Sequence, residues 1–161
     1  IPGASLSNNL IVNLANNIEY CRYVKLEVPP TPIKIEGLLN LKPKDLIILG
    51  GASGNYYIEE SLRGAKGTMP GAYIPDVFVK TNKLLKNNKW EEAYEYFNKF
   101  VPMLRYLSQG LSFSYYLSKY ILCKRGIFES NNVRPPSMQP NTQAYKEMDS
   151  FIKQLKLSNE K

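Results

Sequence analysis

Lys25 is the residue whose surroundings point most clearly to covalent chemistry. It lies in segment 22–28, where the alternation of side chains predicts a β-strand. Successive side chains of a strand point to opposite faces, so Tyr23, Lys25 and Glu27 share one face and the apolar residues between them share the other. An inward-facing lysine costs free energy unless it is paired or used, and an uncharged amine attacks ketones to form an imine. The alternative is an edge-strand lysine paired with Glu27, and the residues alone leave both interpretations open.

Other common kinds of catalytic site are excluded by composition. The chain has no histidine and two cysteines, Cys21 and Cys123, far apart in the sequence. A Ser-His-Asp or Cys-His site therefore cannot be formed from its own residues, and neither can the usual zinc ligand sets. Two cysteines in a chain of this size are typical of reduced, buried thiols rather than of a secreted disulfide framework.

Two glycine-containing segments follow predicted strands. Segment 50–55 comes after the apolar run 46–49 and precedes a helix, a position that favours anion capture by backbone N–H groups. It matches neither the P-loop nor the dinucleotide-binding pattern, and a plain tight turn is the better interpretation. Segment 64–71 similarly predicts a helix stop, a short strand and a sharp turn. The adjacent pairs Glu59-Glu60 and Glu91-Glu92 are poor candidates for a paired-carboxylate site, because adjacent helical residues do not face one another.

The elements that must position these residues change in character along the chain. Up to residue 72, helices predicted at 5–20, 31–41 and 56–63 alternate with strands at 22–28, 46–49 and 66–69, which is the pattern of a parallel α/β sheet. The first helix has a capping serine, Ser5 or Ser7, and an apolar stripe formed by Leu6, Leu10, Leu14 and Ile18. Region 73–161 predicts amphipathic helices at 76–87, 89–106, 112–125 and 142–157, with a proline-rich loop at 131–141. Their many aromatic residues predict core or subunit interface.

Charge and hydropathy narrow the functional classes further. The 161 residues carry a formal net charge of +7, but the lysines are scattered among asparagine and glutamate, as on solvated helix faces. This pattern argues against a nucleic-acid partner. No run approaches the roughly 20 apolar residues that span a bilayer, and the start of the chain lacks the features of a signal peptide. We therefore expect a cytoplasmic protein without a membrane partner.

Taken in order, several segments resemble the dihydrodipicolinate synthase/N-acetylneuraminate lyase family. Residues 23–27 resemble its sixth barrel strand, whose lysine forms a Schiff base with pyruvate, and residues 49–52 resemble the end of the seventh strand. Residues 63–71 resemble the eighth strand with its preceding glycine signature. Residues 88–93 match a helix start written G-x-x-x-E-A, with Asn88 in place of the glycine. Residues 119–126 and 134–136 resemble the family's C-terminal stretch.

The resemblance implies a fold and a set of residue roles. The fold is the C-terminal part of a (β/α)8 barrel, in residues 1–72, followed by the last barrel helix and an all-helical region in residues 73–161. Lys25 is the imine-forming lysine, Gly51 and Met69 line the pyruvate pocket, Met69 through its backbone, and Glu27 tunes the lysine or contacts substrate. The implied activity is that of a class I aldolase or lyase that needs no cofactor or metal. It joins or cleaves C–C bonds of a 2-keto acid and an aldehyde, in a dimer or tetramer.

Two departures from the family pattern qualify these expectations. Ala4 stands where true dihydrodipicolinate synthases carry an arginine, which favours another branch. The family's acid/base tyrosine and its threonine-rich carboxylate site align before residue 1, and a full barrel needs roughly 250 residues. We therefore expect a fragment, a split subunit, or a chain whose N-terminal barrel half is supplied elsewhere. The alternative is a non-catalytic, partner-binding part of an incomplete barrel.

Overall fold

The computed structural model describes residues 5–158, whose contacts form two compact units, one extending to Pro70 and one starting at Gly71. The first unit contains α1 (Asn8–Asn17), β1 (Tyr23–Leu26), α2 (Thr31–Asn40), β2 (Ile47–Gly50), a 3₁₀ turn (Ala52–Gly54), α3 (Tyr57–Leu62) and β3 (Gly67–Thr68). The second contains α4 (Pro75–Lys86), α5 (Trp90–Asn98), α6 (Val101–Leu107), α7 (Leu111–Lys124) and α8 (Thr142–Gln154).

The three strands form a parallel sheet in the order β1–β2–β3, which confirms the predicted parallel arrangement. Leu26 is the register partner of Gly50, and Gly50 is the partner of Thr68. The ladder continues one residue further, because the Met69 N–H donates to the Gly50 carbonyl at 3.0 Å. The carboxyl ends of all three strands therefore lie at one edge of the sheet, where parallel α/β folds place their functional residues.

One face of the sheet packs against helices. Leu26, Ile35, Leu38, Ile48 and Ala65 form its buried apolar cluster. Because Leu26 belongs to this face, the alternation of β1 directs Lys25 and Glu27 to the opposite face, where both are exposed. The predicted division of β1 into an apolar and a polar face is confirmed.

The first helix begins as expected but presents a different side to the core. The Ser7 hydroxyl accepts a hydrogen bond from the Leu10 N–H at 3.2 Å, which caps α1. The four-residue apolar stripe does not mark the buried side: Leu6 is 53% exposed, Leu10 41% and Ile18 49%, whereas Ala15 is 1% exposed. A spacing of four identifies an apolar stripe, but α1 has two such stripes. The stripe that contains Ala15 is the buried one, because the small side chain lets α2 approach α1 more closely. The leucine stripe remains uncovered within the first unit.

The second unit is wholly helical. Its buried residues include Val77, Phe78, Leu85, Ala93, Phe97, Met103, Leu104, Leu107, Leu117, Ile121, Met148 and Ile152. The single helix predicted over 89–106 is wrong, because α5 ends at Asn98 and α6 starts at Val101. Pro102 explains the break, since it lacks an N–H and its ring would collide with the Asn98 carbonyl in a continuous helix. None of the helices within residues 5–158 is long and apolar enough to cross a membrane.

Asn88 shows why a glycine is common at that position in the resembled helix start. Its φ is 58°, in the left-handed region that glycine occupies without strain. Asparagine tolerates this region better than other non-glycine residues, so the substitution preserves the turn between α4 and α5. Ala93, at the end of the same motif, is fully buried.

Candidate active site

Lys25 and Glu27 form an ion pair at the carboxyl end of β1. The Lys25 Nζ lies 3.1 Å from the Glu27 Oε1, and the two side chains are 39% and 48% exposed. Within the described sheet β1 is an edge strand, so the pairing expected for a structural edge lysine is present. The same geometry leaves the amine within reach of a solution ligand. The ion pair is therefore compatible with both interpretations of Lys25.

The Glu27 carboxylate is held in place by the backbone of the next strand's loop. The Ala52 N–H donates to the Glu27 Oε1 at 2.9 Å. This hydrogen bond from the Ala52 N–H is the main reason why the pKa of Glu27 is lower than its usual value. Partial burial of the carboxyl group raises its pKa, and the nearby Lys25 lowers it further. Glu27 is therefore ionised at neutral pH, when it links the end of β1 to the loop after β2.

Gly51 lies directly against Glu27. A Cβ atom at position 51 would come within 2.3 Å of the Glu27 Cγ and 2.5 Å of its Oε1. Any side chain there would displace the carboxylate from both the Ala52 amide and the Lys25 amine. A glycine is thus required for the observed arrangement, for reasons of space.

The loop after Gly51 is a tight turn with its own hydrogen bonds. The Gly54 N–H donates to the Gly51 carbonyl at 2.8 Å and the Asn55 N–H to the Ala52 carbonyl at 3.2 Å. Ala52 and Ser53 have φ angles of 49° and 57°, which are costly for residues other than glycine. This geometry supports the tight-turn interpretation over a backbone anion site. Glu27 stabilises the strained turn through the Ala52 amide.

Met69 occupies the equivalent position after β3. Its N–H pairs with the Gly50 carbonyl, and its side chain is half exposed. Lys25, Glu27, Gly51 and Met69 therefore all lie at the same edge of the sheet, at the ends of three adjacent strands. Their roles in substrate binding and catalysis remain predictions. Ala4, on which the expected departure from true dihydrodipicolinate synthases depends, lies outside the described residues.

A cleft of 340 Å³ follows β1 beside this site. Lys25 and Glu27 line it together with their neighbours in the strand, Lys34 of α2 and residues at the start of α1. Because consecutive residues of both strand faces border the cleft, it runs along the edge of β1 that does not pair with β2.

Glu60, which the sequence analysis set aside, is a buried carboxyl next to the site. Its side chain is fully buried in α3, and its Oε1 accepts a hydrogen bond from the Thr31 hydroxyl at 2.5 Å. Because Glu59 and Glu60 were considered only as a pair, the sequence did not reveal that Glu60 alone is buried. Its place three residues after the buried Tyr57 was the available signal, because that spacing puts both on one helix face.

The hydrogen bond between Ala52 and Glu27 is expected to weaken in acid. Because the folded-state pKa of Glu27 lies below its usual value, the stabilisation is present above the usual carboxyl value and disappears as pH falls through the folded-state pKa. We expect the Ala52 amide resonance to move upfield over that pH range in NMR spectra. In Glu27→Gln the resonance should be insensitive to pH; a similar titration in this variant would contradict the assignment.

Comparisons with known proteins place these segments in context. No family model matches the chain. The L-2-keto-3-deoxyarabonate dehydratase of Azospirillum brasilense is 24% identical over 153 residues, which are 88% of this chain and 46% of that protein. The dihydrodipicolinate synthase of Rhodopseudomonas palustris, a solved structure, is 29% identical with a TM-score of 0.87, over 92% of this chain and 50% of the synthase. The resemblance to the dihydrodipicolinate synthase family is confirmed.

The fold is shared with more distant members of this family. The dihydrodipicolinate synthase of Aquifex aeolicus is 15% identical, yet its structure superposes with a TM-score of 0.83 over 96% of this chain. The small parallel sheet and the helices that follow it therefore have counterparts in the family fold. The chain spans about half the length of these relatives.

Proposed function

We propose that this chain carries the imine-forming lysine of a class I lyase that acts on pyruvate or a related 2-keto acid. The observation that carries the proposal is the position of Lys25 at the end of a parallel strand, 3.1 Å from a carboxylate that a backbone amide keeps ionised. Gly51 and Met69 lie at the same edge, where a keto acid bound to Lys25 would be placed. The family relationship supports this assignment.

The chemistry follows from the amine and its neighbour. Glu27 holds the Lys25 side chain at the end of the strand, and after the ammonium loses a proton to water the free amine attacks the C2 carbonyl of the keto acid. The carbinolamine loses water with a proton returned to the departing oxygen, which leaves an iminium. The iminium withdraws electrons from the adjacent carbon, so a C–C bond to that carbon can be made or broken.

Two of the relatives are named for different reactions. One is a synthase, and the other is named as a dehydratase of a 2-keto acid, L-2-keto-3-deoxyarabonate. Loss of water from a keto acid can use the same iminium, because the enamine derived from it expels a hydroxyl group that leaves with a proton. We place the chain in a branch other than the true dihydrodipicolinate synthases, on the ground of Ala4. Its substrates are a 2-keto acid and, for C–C chemistry, an aldehyde.

The proposed active site is completed by the N-terminal barrel half, in the same polypeptide or in another chain. β1 ends the described sheet with unpaired backbone groups on its outer edge, and such edges pair readily with a further strand. The exposed apolar residues of α1 and its two ends (Leu6, Leu10 and Ile18) supply an apolar surface in the same unit. The family resemblance adds a homo-oligomer, a dimer or tetramer, to this assembly.

Trapping with borohydride tests the proposed function. The protein, purified from its native source with the chains that accompany it, is incubated with pyruvate and reduced, so that hydride adds to the iminium carbon and gives a stable secondary amine. We expect peptide mass spectrometry to find the adduct on Lys25. An adduct on other lysines alone, or none at all, would overturn the assignment.

A non-catalytic, partner-binding role is the second candidate, favoured by the uncovered leucine stripe. Native mass spectrometry should detect an assembly larger than the monomer, and Leu10→Lys should shift it towards the monomer because a charge then replaces buried apolar surface. Val79→Lys is the matched control, since Val79 is 54% exposed on α4 of the other unit. A folded wild-type monomer, or equal effects of both variants, would contradict the predicted surface. Assembly without any Lys25 adduct would favour the non-catalytic role.

A further inference from the structure

Glu60 fills the space beside Gly50, the last residue of β2 before the loop that carries Gly51 and Ala52. A Cβ atom at Gly50 would lie 1.7 Å from the Glu60 Oε2 and 2.6 Å from its Cδ. The carboxyl group thus rests directly on the Gly50 backbone, and its other oxygen accepts the hydrogen bond from Thr31 at the start of α2. Through this one buried carboxyl group, Glu60 therefore contacts both the end of β2 and the start of α2.

The two carboxyl groups near this turn occupy opposite faces of the sheet. Gly50 is the register partner of Leu26, whose side chain packs on the helical face, so the open position at Gly50 points to that face and to Glu60. Gly51 points the other way, to Glu27. The consecutive glycines are required because each leaves room for a different carboxyl group.

The surroundings of Glu60 favour its neutral form. Burial raises the pKa of Glu60, the charge of Glu59 on the same helix adds to this, and the hydrogen bond from Thr31 opposes it. Within residues 5–158 no cation forms an ion pair with Glu60, and its Oε2 has no hydrogen-bond partner. The group of β3 closest in register is the hydroxyl of Thr68, also buried and uncharged. Among the described residues, an ionised Glu60 would therefore have no ion-pair partner.

We propose that Glu60 is a positioning residue of the Schiff-base site, whose buried carboxyl group holds Gly50 from behind and so keeps the Ala52 amide directed at Glu27. Glu27 in turn stays beside Lys25. Glu60 is separated from Lys25 by the sheet and touches no reacting atom. The consequence for catalysis rests on the proposed function, whereas the consequence for the turn does not.

Ionisation of Glu60 is expected to loosen the turn. The unfolded chain loses the proton near the ordinary glutamate value, while the folded protein keeps it to higher pH. The folded state therefore binds more protons between these two values, and its stability declines as pH rises through that interval. Glu60→Gln, which is neutral and of the same shape, should remove this decline.

Amide hydrogen exchange at Ala52, expressed as a protection factor, tests the proposal without reference to activity. In the wild type, protection should fall as pH rises through the raised pKa of Glu60, and in Glu60→Gln it should stay constant. Glu59→Gln is the matched control, because it removes the same charge one residue away without contact to Gly50; its protection should still decline with pH. Identical pH profiles for the wild type and Glu60→Gln would overturn the proposal.

A double-variant cycle tests the contact itself. Gly50→Ala should lower Ala52 protection by about tenfold or more, because its Cβ displaces the Glu60 carboxyl group and with it the turn. In a Glu60→Ala background the same substitution should change protection little, because the space is then free. Equal losses in both backgrounds would overturn the proposed contact, and if Glu60→Ala does not fold, the pH comparison decides.

Borohydride trapping separates this inference from the proposed function. If the exchange results are as expected but no variant or wild type forms a Lys25 adduct, the proposed function fails and the positioning of the turn stands. If the wild type forms the adduct and Glu60→Gln has an unchanged rate and pH profile of trapping, the role in catalysis is overturned. We expect trapping by the wild type to decline at high pH more steeply than trapping by Glu60→Gln.

Discussion

Lys25→Ala is expected to eliminate the reduced pyruvate adduct from the assembled protein. The reason is chemical, since the imine requires a primary amine at the end of β1 and alanine offers none. Lys25→Arg should be equally inactive, because a guanidinium group retains the charge beside Glu27 but remains protonated and does not form the imine. Loss in both variants would show that the amine, rather than the ion pair, is required. The measurement is the fraction of protein mass shifted after reduction.

Lys34→Ala is the matched control for this experiment. Lys34 belongs to α2 and lines the same cleft as Lys25. Its removal changes the charge of the cleft by the same amount, and we expect the adduct on Lys25 to persist. Full trapping by Lys25→Ala, or loss of trapping in Lys34→Ala with Lys25 still present, would contradict the assignment of the imine to Lys25.

Gly51→Ala is expected to slow trapping by about 10- to 100-fold, the range that corresponds to loss of a hydrogen bond to a charged group. The added Cβ would come within 2.3 Å of the Glu27 side chain. Glu27 is half exposed, so it can turn into solvent rather than strain the core. We therefore expect loss of both the Ala52 hydrogen bond and the pairing with Lys25, with a fall in the midpoint of urea unfolding no larger than that of Glu27→Gln.

Gly67→Ala provides the comparison on the neighbouring strand. A Cβ there meets only the Leu49 Cδ2 at 3.5 Å, an ordinary van der Waals distance. This variant should trap pyruvate at close to the wild-type rate. Similar rates for Gly51→Ala and the wild type would show that the carboxylate position does not matter for imine formation. A large loss of stability in Gly51→Ala would show that Glu27 cannot swing away.

Much of the site follows from local rules that the sequence contains in full. The period-two alternation of 22–28 determines that Lys25 and Glu27 share a face, because side chains of a strand alternate whatever the partner strand. Glycines at 50, 51 and 64 mark the ends of a strand and a helix for equally local reasons. The parallel arrangement follows from the alternation of helices and strands, since a helix between two strands returns the chain to the same edge.

Other features were decided only by the tertiary structure. The face of α1 that is buried depends on its packing against α2, and the leucine spacing contains no information on that packing. The contact between Ala52 and Glu27 joins residues 25 positions apart, and it depends on the register of β1 against β2. A one-residue shift of that register would move Gly51 away from the carboxylate.

Glu60 shows most clearly what could not be predicted from the sequence alone. In the sequence it is one of two adjacent glutamates on a short helix, and nothing local distinguishes it from Glu59 except its spacing from Tyr57. Its burial results from the packing of α3 beneath Gly50 and beside Thr31, residues 10 and 29 positions away in the chain. The sequence alone determined which residues could do the chemistry and which faces they occupy. The packing of separate elements decided which carboxyl group is exposed beside Lys25 and which is buried behind the turn, because burial and hydrogen-bond partners come from distant parts of the chain.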